Sequence, residues 1–324
     1  MEVLSLDQLD AQSAEFDACV AACPEVDLFC TSTDWTIPAA RAFGTGAAWI
    51  RKSANGYVAL MHVDLPNGAF ALQPLEAVWG LACPVVGADP DALALDFAGA
   101  LAESPERSHV LLLCGVVRES PRFVALVRML APRYELRLGP STRRYVASLR
   151  GGVDGFLSRR TANFRDSVRK ARRRARERGV EIVAAQPTLA QTAEVYERLL
   201  AVERESWKGH EGHGLEASSM VDFYREMVPR LVKRGALRLL FARRDGVDLA
   251  YILGGTFGAT YRGLQFSFRE GLEDLSLGNL LQLAEIERLS AEGIALYDLG
   301  TDVEYKKRWG EIEHDTVTVI ALPR

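Results

Sequence analysis

Residues 276–310 read SLGNLLQLAEIERLSAEGIALYDLGTDVEYKKRWG, and this run sets the element order of the second half of the chain. Ser276-Leu277-Gly278-Asn279 is turn chemistry that starts a helix. Leu280, Leu283, Ala284 and Glu287 follow at helical spacing, with Leu281 and Ile286 widening the apolar face. Gly293 ends the helix. Residues 294–299 have strand character with Asp298 near their end, and Gly300 turns the chain. Tyr305-Lys306-Lys307-Arg308-Trp309 then sets cations beside aromatics. Such an element suits a ligand bearing phosphates and a carbonyl. Backbone N–H groups at a helix start face an anion, and a lysine just past a strand meets a developing negative charge.

Working outward, 237–242, 249–257 and 261–268 form a β-meander with turns at Arg244-Asp245-Gly246 and Gly258-Ala259-Thr260. Before it come a strand at 180–184 and helices at 188–207 and 219–234; after it, 316–322 is a final strand. The first half carries a looser version of this order. Helix and loop fill 1–45, with Thr33-Asp34-Trp35 as a cap-like entry. Strands at 49–50, 57–63 and 69–72 are split by the hairpin signals Asn55-Gly56 and Asn67-Gly68. An extended stretch at 78–86 leads to a helix opened by Asp89-Pro90-Asp91 and reaching 103. A strand at 110–114, a helix at 121–130 and strands at 134–138 and 143–149 follow. Gly151-Gly152 divides the halves. A chain of 324 residues calls for two cores. The expectation is an α/β protein of two domains, 1–150 and 151–324, each a mixed, mainly antiparallel sheet flanked by helices.

The net charge of −4 excludes a nucleic-acid binder by composition, but it hides an asymmetry. Residues 159–178 hold ten basic side chains against Asp166 and Glu177, which is +8 and leaves −12 elsewhere. They belong to an Arg-rich helix at 156–178, with a break expected near Thr161-Ala162-Asn163. Phe164, Val168, Ala171 and Ala175 form its apolar stripe. With few acids for i,i+4 pairing, it is either a polyanion-binding helix or a solvated or interdomain one. The polyanions in question are CoA phosphates, a nucleotide-activated sugar, tRNA or anionic lipid. Five irregularly spaced cysteines fit reduced thiols in the cytoplasm. The acidic start MEVLSLDQLDAQ is not a signal peptide, and the longest apolar run, 110–117, is too short to span a membrane.

Single residues keep two readings each. Trp207-Lys208 is an active-site lip or part of a mobile surface loop. His210 and His213 lack a third ligand and do not make the HExxH pattern, so no metal is expected. Asp298 caps the Gly300 turn or acts on the substrate. Lys306 is a surface lysine or stabilises charge where an acyl group ends.

Across G-N-L-L…E…G…Y-D-L-G…Y-K-x-x-W the chain resembles FemAB-like GNAT proteins, in particular the acetyltransferase-like group near cellulose and exopolysaccharide loci. The likeness extends to the basic helix, E-S-W-K-G, R-D-G-V-D-L-A-Y-I-L-G-G and the first-half D-W-T…W-G-L-A-C-P-V-V-G. It implies two tandem GNAT-like domains and acyl transfer to an amine. The donor would be acyl-CoA, acetyl-CoA first, with a small-molecule or glycan amine such as an amino sugar as acceptor. In the FemX-type branch the donor would instead be aminoacyl-tRNA. A non-catalytic GNAT-like binding module is the third reading. There is one glycine where GNAT proteins present several at the pyrophosphate loop, and no long coiled-coil insertion.

The resemblance places an aromatic–lysine pair on Tyr305-Lys306. Lys306 would then stabilise the tetrahedral oxyanion, helped by Arg308. Ser276 and the N–H groups around Gly278, Asn279 and Leu280 would hold donor phosphates. Asp298, with Glu205 behind it, is the candidate base or acceptor orienter. Arg165, Arg169 and Arg173 would contact a polyanionic substrate. No cysteine lies in 276–310, which argues for direct attack by the amine. Peripheral membrane contact fits the basic helix.

Overall fold

The computed structural model describes residues 1–66, 68–104, 109–206 and 218–324. In chain order the elements are β1 (Glu2–Leu4), α1 (Leu6–Ala11), α2 (Ser13–Ala21), α3 (Leu28–Thr31), α4 (Thr33–Phe43), β2 (Ala47–Ser53), β3 (Gly56–Asp64), β4 (Phe70–Pro74), β5 (Val85–Val86), α5 (Pro90–Glu103), β6 (His109–Val116) and α6 (Pro121–Leu130). Then come β7 (Tyr134–Ser148), α7 (Gly152–Ser158), α8 (Ala162–Glu177), β8 (Glu181–Ala184), α9 (Thr192–Arg204), α10 (Ser218–Lys233), β9 (Leu237–Arg244), β10 (Val247–Phe257), β11 (Thr260–Phe268), α11 (Leu277–Ala291), β12 (Leu296–Thr301) and β13 (Ile312–Pro323).

The chain divides into two compact units, Met1–Arg143 with Asp315–Arg324, and Arg144–His314. The boundary expected at 150 falls at 143. Residues 315–324, expected in the second domain, belong to the first unit.

In the first unit the strand order is β1-β2-β3-β4-β6-β13-β7, with β5 paired to β3. The β2-β3-β4 meander is antiparallel, and α5 carries the chain across to β6, which is parallel to β4. The asparagine of the Asn67-Gly68 turn lies outside the described residues. The stretch at 78–86, expected to be extended, contributes only Val85–Val86 to a strand. Glu76 explains this: buried, it takes the backbone N–H groups of Trp79, Leu81 and Ala82 and curls the segment around itself.

In the second unit the order is β7-β12-β11-β10-β9-β8. An antiparallel meander β9-β10-β11 is followed by α11 and then by β12, parallel to β11. This repeats the meander, helix, parallel-strand order of the first unit. The strands expected at 134–138 and 143–149 are one strand. The basic helix is two, α7 and α8, because Thr161 takes an extended backbone and its hydroxyl accepts from Phe164 N–H. The stripe holds: Val168, Ala171 and Ala175 are buried, and Phe164 packs on the core formed by Phe156, Tyr261, Ile286, Leu289, Tyr297 and Trp309.

Glu285 on α11 is fully buried, and neither carboxylate oxygen has a hydrogen-bond partner among the described residues. Burial pushes its carboxyl up to about 7; Arg288 and Arg238 pull against that, and Glu292 adds to it. An acid whose folded pKa is raised binds more protons folded than unfolded, so stability falls as pH rises from about 4.5 to about 7. Glu285→Gln should therefore raise stability at pH 8 by up to roughly 3 kcal/mol and change it little at pH 4, as read by urea unfolding at both pH values. An equal effect at the two pH values would contradict this.

Candidate active site

The site is built where two parallel strands part. β11 and β12 pair only at Thr260–Leu296, Tyr261–Tyr297 and Arg262–Asp298. β11 runs on to Phe268 and β12 to Thr301 without further pairing to each other. Their facing edges thus present backbone N–H and C=O groups that a linear, amide-bearing ligand can pair with.

At the point of parting lies a buried charge cluster. Asp298 is 3% exposed, and its Oδ2 meets the guanidinium groups of Arg144 and Arg262, the latter at 3.0 Å. Its Oδ1 accepts from Gly300 N–H at 2.8 Å. So Asp298 does cap the Gly300 turn, as one of its two readings expected, while also joining β7, β11 and β12. Gly300 sits at φ +82, and a Cβ there would lie 3.4 Å from Lys306 Nζ and 3.6 Å from Arg262 Nε. The Lys306 ammonium thus lies over the turn, donating to Thr301 C=O at 3.0 Å. The turn thus holds an ammonium beside the Arg262 guanidinium, an arrangement that suits a developing oxyanion.

Lys306 belongs to a 3-10 turn (Glu304–Arg308) whose far end is anchored. Trp309, 1% exposed, stacks on Phe156 at 6.0 Å and meets Phe164 edge-on at 4.9 Å. Arg160 lies 4.1 Å over Phe156 and donates both to Trp309 C=O and to Glu311. Glu311 also accepts from Arg159 Nε and Ser148 N–H, each at 3.0 Å. Burial alone would raise the Glu311 carboxyl; the hydrogen bond and charge of Arg160, with Ser148 N–H and Arg159, outweigh it and hold it below the usual range.

Beside this turn is a cavity of about 440 Å³. Its walls combine Thr161 and Asn163 at the start of α8, Asn279 at the start of α11, and the cations Arg160, Lys307 and Arg308. Glu311 is the acid in the wall, and Lys307 is already paired with Glu304 at 2.8 Å.

The other expected residues fall as follows. Ser276 starts α11 at φ +51 without a side-chain cap; its hydroxyl is taken by Arg174. Gly278 is a packing glycine, since a Cβ there would lie 2.7 Å from the Phe266 ring, and Leu280 is buried core. Of the α11 start, Asn279 reaches the cavity with Arg308. Tyr305 is 40% exposed on the turn. Arg169 pairs with Asp166, Arg173 lies 3.7 Å from Glu177, and Arg165 donates to Arg160 C=O. Glu205 is exposed and bound to Arg269 at 2.5 Å. Trp207, Lys208, His210 and His213 lie outside the described residues. Arg144, Arg262 and Glu311 were not singled out from the sequence; the signal was there in Arg262, a charge in an otherwise apolar strand.

Residues 162–308 match the acetyltransferase (GNAT) domain family. The matched span is a little under half of the chain. It holds α8, the meander, α11, the parting of β11 and β12, and Lys306. Among solved structures, FemX is similar over 98% of this chain and 97% of its own, with a TM-score of 0.65 and 14% identity. The C-terminal domain of a putative lysylphosphatidylglycerol synthetase from Agrobacterium fabrum matches with a TM-score of 0.57 and 13% identity, over 96% and 92%. L-PGS from Bacillus licheniformis gives 0.55 and 11%, over 90% and 92%. At these identities the likeness is one of fold. Comparison with curated protein sequences finds no match. Among the described residues no helix is long and apolar enough to cross a membrane, and no cluster of His, Cys, Asp and Glu forms a metal site.

Removing the charge of Asp298 takes a buried carboxylate away from Arg144 and Arg262. Asp298→Asn should cost about 3 kcal/mol or more and lower the melting temperature by several degrees in calorimetry. A melting curve like the parent's would mean the cluster is not closed to water.

Proposed function

We propose that this chain is an N-acyltransferase that moves an acyl group, acetyl in the simplest case, from acyl-CoA to an amine. The observation that carries the reading is the parting of β11 from β12 with Lys306 held at its mouth. A CoA arm is linear and carries two amides, so it can pair with the open strand edges. Its thioester carbonyl then ends beside Lys306, with donor phosphates toward Asn279 and Arg308. The acceptor amine attacks the carbonyl, the C–N bond forms, and Lys306 stabilises the oxyanion until the C–S bond breaks and the leaving thiolate takes up the proton that the amine gives up. Asp298, bound by two guanidinium groups and the Gly300 N–H, fixes the Lys306 turn and is not the base.

An amino sugar of a polysaccharide or cell-envelope precursor is the acceptor class that the resemblance to exopolysaccharide-type acetyltransferases favours. The likeness of fold to FemX over 98% of the chain supports a second donor class, the aminoacyl ester at the 3′ end of a tRNA.

The donor is tested by thermal unfolding with acetyl-CoA, longer acyl-CoAs and charged tRNA added separately. A ligand at a hundred times its dissociation constant adds about 2.7 kcal/mol to stability. A shift with an acyl-CoA supports the first reading, a shift with charged tRNA alone moves the protein to the second, and no shift with any donor removes both. With the donor in hand, Lys306→Ala should melt like the parent and lose about 10²–10³-fold in kcat. An unchanged rate would remove Lys306 from the mechanism.

A further inference from the structure

The first unit has its own pair of parting strands. β4 and β6 are parallel and pair only at Phe70–His109, Ala71–Val110 and Leu72–Leu111, much as β11 and β12 do. β6 then runs on to Val116. The difference lies in the link to the next helix. In the second unit residues 269–276 join β11 to α11; in the first, the longer run 75–89 joins β4 to α5.

That longer run is folded back along β6. Glu76, 1% exposed, accepts from the backbone N–H groups of Trp79, Leu81 and Ala82 at 2.6, 3.1 and 3.3 Å. Leu81, Ala82 and Cys83 are buried. A Cβ at Gly80 would lie 3.8 Å from Cys114 Sγ, and one at Gly115 only 2.6 Å from the Leu81 carbonyl oxygen. Gly115, at φ +67, thus admits the run where a side chain would exclude it. The far end is pinned: Cys83 N–H donates to Thr31 Oγ1 at 3.1 Å, and Pro84 C=O accepts from Ala59 N–H at 2.7 Å.

The helix start is closed as well. Pro90, the first residue of α5, has no N–H. Asp89 Oδ1 accepts from Asp91 and Ala92 N–H at 3.0 Å each, and Asp89 C=O accepts from Leu93 N–H. A carboxylate of the chain therefore sits where a helix start would otherwise hold a ligand's anion. α11 has no such side-chain cap. A linear, phosphate-bearing ligand draws on both a strand edge and a helix start, and in the first unit the chain occupies both itself.

We infer that residues 77–83 are a strap, latched by Glu76, that fills the first unit's own cleft, so that the chain takes one donor and takes it in the second unit. What the second unit holds rests on the acyl-CoA reading; the latched strap does not.

Two measurements on the whole chain test this. Acetyl-CoA is titrated in and counted by native mass spectrometry; one equivalent per chain is expected, and a saturable second equivalent overturns the inference. The latch is read through Cys83, labelled with N-ethylmaleimide and followed by peptide mass spectrometry. Glu76→Ala should label Cys83 at least about tenfold faster than the parent, the equivalent of one lost hydrogen bond to a charged group, while Cys23, buried at the end of α2, keeps its rate. If Glu76→Ala does not fold, Glu76→Gln, which keeps the side-chain length, should show a smaller rise in the same direction. An unchanged Cys83 rate, or an equal rise at Cys23, overturns the strap. One equivalent of acetyl-CoA with Cys83 unmoved sinks the strap and leaves the acyltransferase reading standing. Release of Cys83 in a protein that binds no acyl-CoA upholds the strap and sinks that reading.

Discussion

A carboxyl group taken out of water either keeps its proton or is met by cations, and Asp298 is the point where the second course organises this molecule. Its two guanidinium partners come from β7 and β11, and its own backbone lies in β12 between them. Three strands are thereby fixed at the place where the β11–β12 ladder ends. The second oxygen holds the Gly300 N–H, and the turn that follows carries Lys306. A lysine on a free loop would spread its charge through solvent. Here the ammonium is held over a defined turn before any ligand arrives, and preorganisation of that kind makes a charge useful in a transition state.

The basic helix changes meaning once its partners are known. Its sequence shows a run of cations with almost no acids near it. The acids are supplied by α11 and the segment before it: Arg172 meets Glu287 at 2.8 Å, and Arg178 meets Asp274 at 3.3 Å. Much of the charge thus fastens one helix to another. These pairs are largely exposed, so each adds little to stability. Their effect is to set where the first turn of α8 lies relative to that of α11.

What the sequence made legible was periodic. The stripe of Phe164, Val168, Ala171 and Ala175, the meander at 237–268 and the helix after Gly278 all declare themselves through spacing. What it concealed was long-range. Arg144 and Asp298 are separated by 154 positions, Arg160 and Glu311 by 151, and no local pattern announces such a pair. Gly139-Pro140 reads as a break, yet β7 runs straight through it. Trp309 stands among cations in the sequence, yet it is one of the most deeply buried side chains, because Phe156 and Phe164 form a box around it. At the site, Lys306 and Asp298 could be placed by their position after a strand. Their surroundings could not, since those come from β7, β11 and the segment before α8.

The route of the chain through the first unit has a bearing on biosynthesis. β6 of that unit is bordered by β13, whose pairing residues are Val317–Ala321, made some 200 positions after β6 itself. A ribosome delivering the chain from residue 1 therefore releases a sheet with β6 uncovered on that side, and it stays so while the whole second unit is made. An uncovered strand edge is a template for wrong pairing. The nascent first unit must wait for its border strand, so the two units complete their folding nearly together despite their separate cores.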